Sequence, residues 1–351
     1  MMSASMEGAV IASKFRGALI GALLGDCLGA PFEGDERVSK SVLQKYFDKL
    51  EGPHFKAPFK QYTDDTAMTK CVAESLIHSG GFNEEDMAKR FVEEYYRNPK
   101  RGYGANVVSI FGKLRSTDLK DVWQPAREQF SGRGSYGNGG AMRVSPIALY
   151  CHKNYQQMID FCGKTTALTH TNTLGINGAL LQCIAVHQSL EQSPNDPIDE
   201  KKFSFDLISK MSKIEEKSSP EVESKTPYID QLKLVQKLLE KNKGSTLDDD
   251  EEVVESLGNT IAALYSVPTA VYCFLRAQST IKDMEVDNPF RRTLQYSISL
   301  GGDTDTIASM AGAISGAYHG YGMINANVQR HCEGVEKMLD IANELMLVSE
   351  T

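Results

Sequence analysis

Paired cysteines are missing from this sequence. Its seven cysteines are scattered, and no two of them form a CxxC pair. An odd number of scattered cysteines argues against a disulfide framework and against a zinc site built from thiolates. We therefore expect reduced thiols in the core of an intracellular protein.

Long hydrophobic runs, basic clusters and strand-like patterns are also scarce. The most apolar segment, residues 17–32, is interrupted by Asp26, so we expect neither a membrane span nor a signal sequence. The net charge is −8 and no cluster of lysine and arginine stands out. The chain thus lacks the basic surface that non-specific nucleic-acid binding requires. Few segments alternate polar and apolar residues, which argues against a β-sheet.

Helical periodicity is what the 351 residues contain instead. Apolar residues recur at spacings of three and four, which indicates amphipathic helices around a large core. The segments with this spacing are 84–96, 155–168, 174–190, 203–215, 228–241, 250–264, 267–277, 291–300 and 305–318. We predict one all-α domain over residues 14–351, preceded by a flexible N-terminus over 1–13. Residues 191–252, rich in Lys, Glu, Ser and Asp, are predicted to form peripheral helices and loops.

Glycine recurs at every fourth residue in two helical segments. These glycines are Gly17, Gly21, Gly25 and Gly29 in one segment and Gly312, Gly316 and Gly320, preceded by Ala308, in the other. Glycine inside a helix costs about 1 kcal/mol relative to alanine, so a stripe of it indicates close approach of another backbone. We predict that the two helices pack together at the centre of the fold. Asp26 would then be buried, and would either cap or hydrogen-bond a neighbour or support a metal site.

Two short segments crowd acids and hydroxyls before an apolar helix: "TDDT" at 63–66 and "DTDT" at 303–306. One oxygen suffices to cap a helix, so capping alone is one interpretation. Four oxygens exceed that need, and the four aspartates could not lie ionised together without cations. Oxygen ligands select Mg²⁺, Mn²⁺ or Ca²⁺ over Zn²⁺, and four carboxylates suit two ions. We predict a binuclear Mg²⁺ site, with Mn²⁺ as an alternative ion.

A glycine-rich loop is the second candidate binding element. Residues 131–143 contain five glycines in thirteen residues and precede a predicted helix. Such a loop lets backbone N–H groups approach a phosphate, although a flexible turn has the same composition. Ser135 and Asn138 add hydrogen-bond donors, and Tyr136 could stack on a ring.

Three further features have an ordinary interpretation and a functional one. Glu33 follows the first glycine stripe and is either a surface acid or a further carboxylate beside the metal site. Residues 101–107, "RGYGANV", form a second glycine loop. His170 lies among threonines at a helix start, as a structural histidine or as part of a cleft.

Together these segments resemble the ADP-ribosylglycohydrolase family. "GALLGDCLGAPFE", "YTDDTAM", "GSYGNGGAMR" and "SLGGDTDTIASMAGAISGA" occur in the order of that family, over about residues 14 to 345. The pair of TDDT and GDTDT is highly specific to it. "RGYGANVV" and "SVPTAVYCFLR" resemble the type 3 branch, whereas the arginine-specific type 1 branch differs more in the glycine loop. Residues 191–250 match least well.

The resemblance implies an orthogonal multi-helix bundle with two Mg²⁺ ions at its centre. The implied metal ligands are Thr63, Asp64, Asp65, Asp303, Asp305 and Thr306, joined by Glu33 as a mobile glutamate that takes part in catalysis. The residues implied to bind ADP-ribose are Gly102, Phe130, Gly134, Ser135, Tyr136, Gly137, Asn138 and His170.

The implied activity is removal of ADP-ribose from serine, with cleavage of poly(ADP-ribose) and O-acetyl-ADP-ribose, in the reversal of DNA-damage-linked modification. The alternatives are an arginine-specific hydrolase and a non-catalytic ADP-ribose reader; a reader would be expected to lack Glu33 or a metal-binding aspartate. The implied partners are ADP-ribosylated proteins such as serine-modified histones. We expect a monomer in the nucleus and cytoplasm, with the mitochondrial matrix as a further compartment.

Overall fold

The structure is a computed structural model that describes residues 2–53, 59–194, 196–220, 222–242 and 250–350, with side chains from residue 7 onward. Its α-helices are α1 Met2–Gly29, α2 Lys40–Glu51, α3 Asp64–Ser79, α4 Glu84–Arg97, α5 Ala105–Ser116, α6 Gln124–Arg127, α7 Ser145–Tyr150, α8 Tyr155–Ala167, α9 Thr173–Glu191, α10 Glu200–Glu215, α11 Pro227–Asn242, α12 Asp250–Leu257, α13 Val267–Arg276, α14 Pro289–Ser299, α15 Thr304–His319, α16 Ala326–Gln329 and α17 Val335–Ser349. Within the described ranges the only β-type pairings are isolated bridges. The all-α prediction is confirmed.

Most predicted helices agree with the structure to within a few residues. The segment 250–264 is wrong at its end, because α12 stops at Leu257 and Gly258 adopts the left-handed φ of 81°. The N-terminal segment predicted to be flexible is helical from Met2 onward, as the first turns of α1. Its mobility stays a prediction, and Met1 lies outside the described residues.

α1 and α15 pack along their glycine stripes, as the sequence predicts. A Cβ atom at Gly17 would lie 2.2 Å from the carbonyl oxygen of Gly316, and one at Gly21 would lie 2.1 Å from that of Gly312. A Cβ at Gly29 would lie 2.6 Å from the carbonyl oxygen of Thr304. The C-terminal end of α1 therefore lies against the N-terminal end of α15.

α1 is buried along most of its length. By length and composition alone, the stretch Glu7–Phe32 is apolar enough to cross a membrane, which the sequence expectation missed. In the structure most of this stretch is inside the protein, in contact with α15 and α17. Its hydrophobicity is that of a central core helix.

The helices of the polar segment 191–252 lie outside this central pair. α10 packs on α9 and α11, and α11 packs on α13, through buried side chains such as Phe203, Leu207 and Tyr228. They therefore extend the same core. All seven cysteines are buried and free, in agreement with the expected reduced thiols.

Candidate active site

Asp26 holds the start of α3 in place. From α1, its carboxylate accepts hydrogen bonds from the backbone N–H of Thr63 at 2.9 Å and of Thr66 at 3.0 Å, and from the Thr66 hydroxyl at 2.6 Å. Burial raises the pKa of Asp26, and these donors oppose that rise. Asp26 thus hydrogen-bonds a neighbouring helix and, in doing so, positions the first aspartate cluster.

Capping accounts for little of the oxygen in the two clusters. At α3 the cap is Thr63, whose hydroxyl accepts from the backbone N–H of Asp65 at 3.4 Å. At α15 the cap position is Asp303, and its side chain makes no capping hydrogen bond. The Asp305 carboxylate accepts the backbone N–H of Thr306 at 2.8 Å, and the other aspartate side chains of the two clusters accept no backbone N–H of these helix starts in the described part of the chain.

The acids of the second cluster meet Glu33. Carboxylate oxygens of Glu33, Asp303 and Asp305 all lie within 4.8 Å of one another. Glu33 reaches this position from the loop after α1, which the Gly34 N–H joins to the carbonyl of Gly302 at 2.9 Å. The sequence left Glu33 between a surface acid and a site residue, and the geometry favours the site.

Asp65 joins the two clusters. One of its oxygens accepts from the hydroxyls of Thr63 and Thr306, each at 3.2 Å. Its other oxygen, Oδ1, is buried and has no hydrogen-bond partner within the part of the chain that the structure describes. A buried carboxylate oxygen without a partner is costly. It is the type of ligand that a hard divalent cation would satisfy.

One cavity of about 270 Å³ collects most of the predicted site residues. Those that line it are Glu33, Asp64, Asp65, Gly102, Ser135, Gly137, Asn138, His170, Asp303, Asp305 and Thr306. Phe130, Gly134 and Tyr136 line a neighbouring cavity of about 540 Å³ instead. Thr63 lines neither of these cavities; its hydroxyl donates to Asp65, and it lines a third cavity together with Tyr62 and Arg101.

The glycine-rich loop folds onto the start of α9. A Cβ at Gly134 would lie 2.1 Å from the Thr171 hydroxyl, and one at Gly139 would lie 2.8 Å from Cε1 of His170. Asn138 donates from Nδ2 to Asp303 at 2.6 Å, which ties the loop to the second aspartate cluster. The loop and the acids thus form one site.

Comparison with known proteins agrees with this geometry. The profile of the ADP-ribosylglycohydrolase family matches residues 7–351. The chain belongs to this family.

The chain is 44% identical to ADP-ribosylhydrolase ARH3 of Mus musculus, over 95% of this chain and 91% of that protein. It is 43% identical to ADP-ribosylhydrolase ARH3 of Homo sapiens, over 95% and 93%. A solved structure titled "ADP-ribosylglycohydrolase-related protein complex" has a TM-score of 0.65 and 20% identity, over 97% of this chain and 99% of its own. That last likeness concerns the fold alone. Family membership makes this chain a hydrolase that acts on glycosidic bonds.

The electrostatics of this ADP-ribosylglycohydrolase favour bound cations. Burial, and then the charge of Asp26, raise the pKa of Asp64 to about 7. Burial and the charge of Asp303 raise the pKa of Asp305 to about 9, and the same two causes raise that of Glu33. Carboxylates that repel one another in this way gain most from a nearby positive ion. With the unpartnered oxygen of Asp65, the residues fit a divalent metal.

The hydrolase also contains a buried hydrogen-bond chain that sequence reasoning missed. Fully buried Arg143 donates to the Thr169 hydroxyl at 2.7 Å and to the carbonyls of Thr165 and Gly139 at 2.9 and 3.0 Å. The Thr169 oxygen lies 2.7 Å from Nδ1 of His170. Arg143 can only donate, so the Thr169 hydroxyl accepts from it and can direct its own proton to Nδ1; in that arrangement the His170 proton lies on Nε2.

This chain makes His170 a neutral donor beside the glycine loop. Burial, and then the charge of Arg143, lower the pKa of His170 to about 3. Nε2 lies toward the loop, because a Cβ at Gly139 would be 3.1 Å from it and one at Gly137 would be 3.3 Å from it. The only signal for Arg143 in the sequence is its place at the end of the glycine-rich segment.

Proposed function

We propose that this hydrolase cleaves the O-glycosidic bond at C1″ of ADP-ribose, with two Mg²⁺ ions. Its substrates would be ADP-ribose on serine side chains, poly(ADP-ribose) and O-acetyl-ADP-ribose. The observation that carries this proposal is the meeting of Glu33, Asp303 and Asp305 in one cavity with the glycine-rich loop. The relatives named ADP-ribosylhydrolase support an ADP-ribosylated substrate. The serine acceptor rests on the resemblance of residues 101–108 to the type 3 branch.

The two neighbouring cavities suit the two ends of ADP-ribose. Tyr136 and Phe130 are 54% and 41% exposed at the wall of the larger cavity, and aromatic faces of this kind stack on a base. Ser135, Gly137 and the Nε2–H of His170 line the smaller cavity, where they would hold the diphosphate. The distal ribose would then reach the carboxylates, which places C1″ beside Glu33.

Seven residues would hold the metal ions. They are Glu33, Thr63, Asp64, Asp65, Asp303, Asp305 and Thr306. When bound, two divalent cations would offset the charge of the carboxylates and act as Lewis acids toward ribose hydroxyls and water. Asn138 and Asp26 keep the two clusters in place through the hydrogen bonds described above.

Glu33 is the residue suited to move a proton. It is exposed on a loop, so it can meet both a water molecule and the leaving oxygen. Its raised pKa brings it nearer to the range in which a carboxyl group can both accept and donate a proton. C–O cleavage passes through an oxocarbenium-like state. Water adds to C1″ and the leaving oxygen departs with a proton.

The testing experiment measures ADP-ribose released from a serine-linked and from an arginine-linked substrate, each with Mg²⁺ and with EDTA. We expect release from serine alone, and only with metal. Release from arginine alone would keep the metal site and make the chain an arginine-specific hydrolase. No release from either substrate, with ADP-ribose still bound, would make it a reader.

We further propose that the activity reverses DNA-damage-linked ADP-ribosylation in the nucleus and cytoplasm, with the mitochondrial matrix as a further compartment. Serine-modified histones are the expected protein substrates. Imaging of the tagged full chain, before and after DNA damage, would test this location. Exclusion from the nucleus under both conditions would contradict it.

A further inference from the structure

A basic cleft opens beside the carboxylate cavity, which is the cavity of about 270 Å³ that Glu33, Asp303 and Asp305 line. Its volume is about 550 Å³, and Arg97, Lys100 and Arg101 line it together with Tyr62 and Gly102. No acidic side chain lines this cleft, although the chain carries a net charge of −8 and acids line the adjoining cavity. The cleft therefore presents basic side chains directly beside a cavity that is lined by acids.

Arg101 forms a rigid and electrically balanced wall of the cleft. Its guanidinium donates to both carboxylate oxygens of Glu333, at 2.6 and 2.9 Å, and to the carbonyl of Tyr62 at 2.9 Å. It also lies over the Tyr62 ring at 3.9 Å from the ring centre. Because Glu333 matches its charge, Arg101 shapes the cleft without adding a net positive charge.

Arg97 and Lys100 supply the surplus positive charge. Lys70 already pairs with Glu94, the acid that Arg97 also contacts, at 2.9 Å. Arg97 reaches the same Glu94 oxygen only at 3.5 Å, with 67% of its side chain exposed. Lys100 is exposed and has no acidic partner within the ranges that the structure describes. Two positive charges are thus available to an anion.

The position of the cleft relates it to the leaving group. Gly102 lines both the cleft and the carboxylate cavity, and a Cβ there would lie 3.7 Å from an oxygen of Asp64. The cavity of about 540 Å³ that Tyr136 and Phe130 line shares no lining residue with the cleft. If ADP-ribose occupies that cavity and the carboxylate cavity, the group attached to C1″ continues toward Gly102. This step rests on the proposed function.

We propose that the basic cleft binds the diphosphate of the next nucleotide unit when poly(ADP-ribose) is the substrate. In that polymer the leaving oxygen is a ribose hydroxyl of a nucleotide that carries its own diphosphate. The two negative charges of that diphosphate match the two charges of Arg97 and Lys100. The chemistry is unchanged: water adds to C1″, the C1″–O bond breaks, and the shortened polymer keeps the oxygen with a proton. Of the proposed substrates, poly(ADP-ribose) would therefore make the most contacts with the protein.

The test uses the charge-reversed pair Arg97→Glu with Lys100→Glu in the full chain. Its matched control is Lys202→Glu with Lys237→Glu, which changes the net charge equally at exposed positions of α10 and α11. Both are assayed on poly(ADP-ribose), on a serine-linked peptide with neutral flanks and on one with acidic flanks. The salt dependence of each rate is recorded, because contacts to a polyanion weaken as salt rises.

For polymer we expect kcat/KM of the cleft variant to fall about tenfold at low salt, with a shallower salt dependence than in the wild type. The neutral-flank peptide should be turned over at the wild-type rate by both variants. Unchanged polymer turnover, or an equal loss on the neutral-flank peptide, would overturn the proposal. A loss confined to the acidic-flank peptide would assign the cleft to acidic protein segments and would overturn it as well.

These measurements distinguish an error in the proposed function from an error in the proposed role of the cleft. If the wild type releases ADP-ribose from none of these substrates, the proposed function is wrong. Binding of fluorescent poly(ADP-ribose) to the wild type and to the two variants then tests the cleft directly. Weaker binding by the cleft variant alone supports the cleft, and equal binding by all three overturns it.

Discussion

Replacing Gly25 by alanine should destabilise the protein more than its small size suggests. A Cβ there would lie 2.1 Å from the carbonyl oxygen of Ala308, 2.3 Å from its carbonyl carbon and 2.4 Å from the nitrogen of Ser309. All three are backbone atoms of α15, so no side chain can rotate away. The two helices would have to separate by about 1 Å to restore a normal contact distance.

The magnitude follows from that separation. Overpacking a core costs about 1–3 kcal/mol where side chains can adjust, and here they cannot. We therefore expect the free energy of unfolding to fall by about 3 kcal/mol or more. For a chain of 351 residues each kcal/mol corresponds to about 1.4 °C in Tm. The expected loss is thus about 4 °C or more.

The matched control is Gly8→Ala in the same helix. A Cβ at Gly8 would meet nothing within 4 Å, so only the helix propensity changes there. That change favours alanine by about 1 kcal/mol, which should raise Tm by about 1 °C. Thermal unfolding followed by circular dichroism, at one protein concentration and scan rate, compares the three proteins. If Gly25→Ala unfolds at or above the wild-type temperature, the close packing of α1 on α15 is refuted.

Three further predictions concern the site. Glu33→Ala should keep ADP-ribose binding by calorimetry and lose most turnover; wild-type turnover would remove Glu33 from the mechanism. Thr169→Val should weaken ADP-ribose binding about tenfold and shift the ¹⁵N signals of His170 toward a mixture of tautomers. Thr169→Ser, which keeps the hydroxyl, should show wild-type binding and wild-type signals. Normal binding by the valine variant would contradict the donor role of Nε2. Without divalent cations, stability should fall as pH rises from about 7 to 9; below about pH 6.5 the lowered pKa of buried His170 has the opposite effect. The reason is that the pKa values of Asp64 (about 7) and Asp305 (about 9) lie above those of the unfolded chain, so the folded state holds protons that the unfolded state has released. Mg²⁺ should flatten this decline, and a metal-free stability that rises with pH over this interval would contradict the electrostatic account.

The best sequence predictions were those in which local spacing carries the signal. A stripe of glycines at every fourth residue lies on one face of a helix, so the α1–α15 contact follows from spacing alone. The sequence also predicted the helices α9 and α15, because their apolar residues recur at helical spacing. The end of α12 was misplaced because apolar residues continue beyond Gly258 in a non-helical segment.

The partners of the site residues depended on contacts distant in sequence. Asn138 and Asp303 are 165 positions apart, and Asp65 and Thr306 are 241 positions apart. The order of residues did not reveal that Asp26 would serve α3 rather than its own helix. Nor did it separate Phe130 and Tyr136, which line a different cavity from Ser135 and Gly137.

By itself, the sequence determined the helical class, the pairing of the glycine-striped helices and the presence of two acidic helix starts, because each depends on residues a few positions apart. Only the tertiary structure decided that Glu33 meets Asp303 and Asp305. It also decided that buried Arg143 orients His170, and that Lys100 lies in a basic cleft beside the site. These features depend on distances and burial between separate helices, which spacing along one helix does not specify.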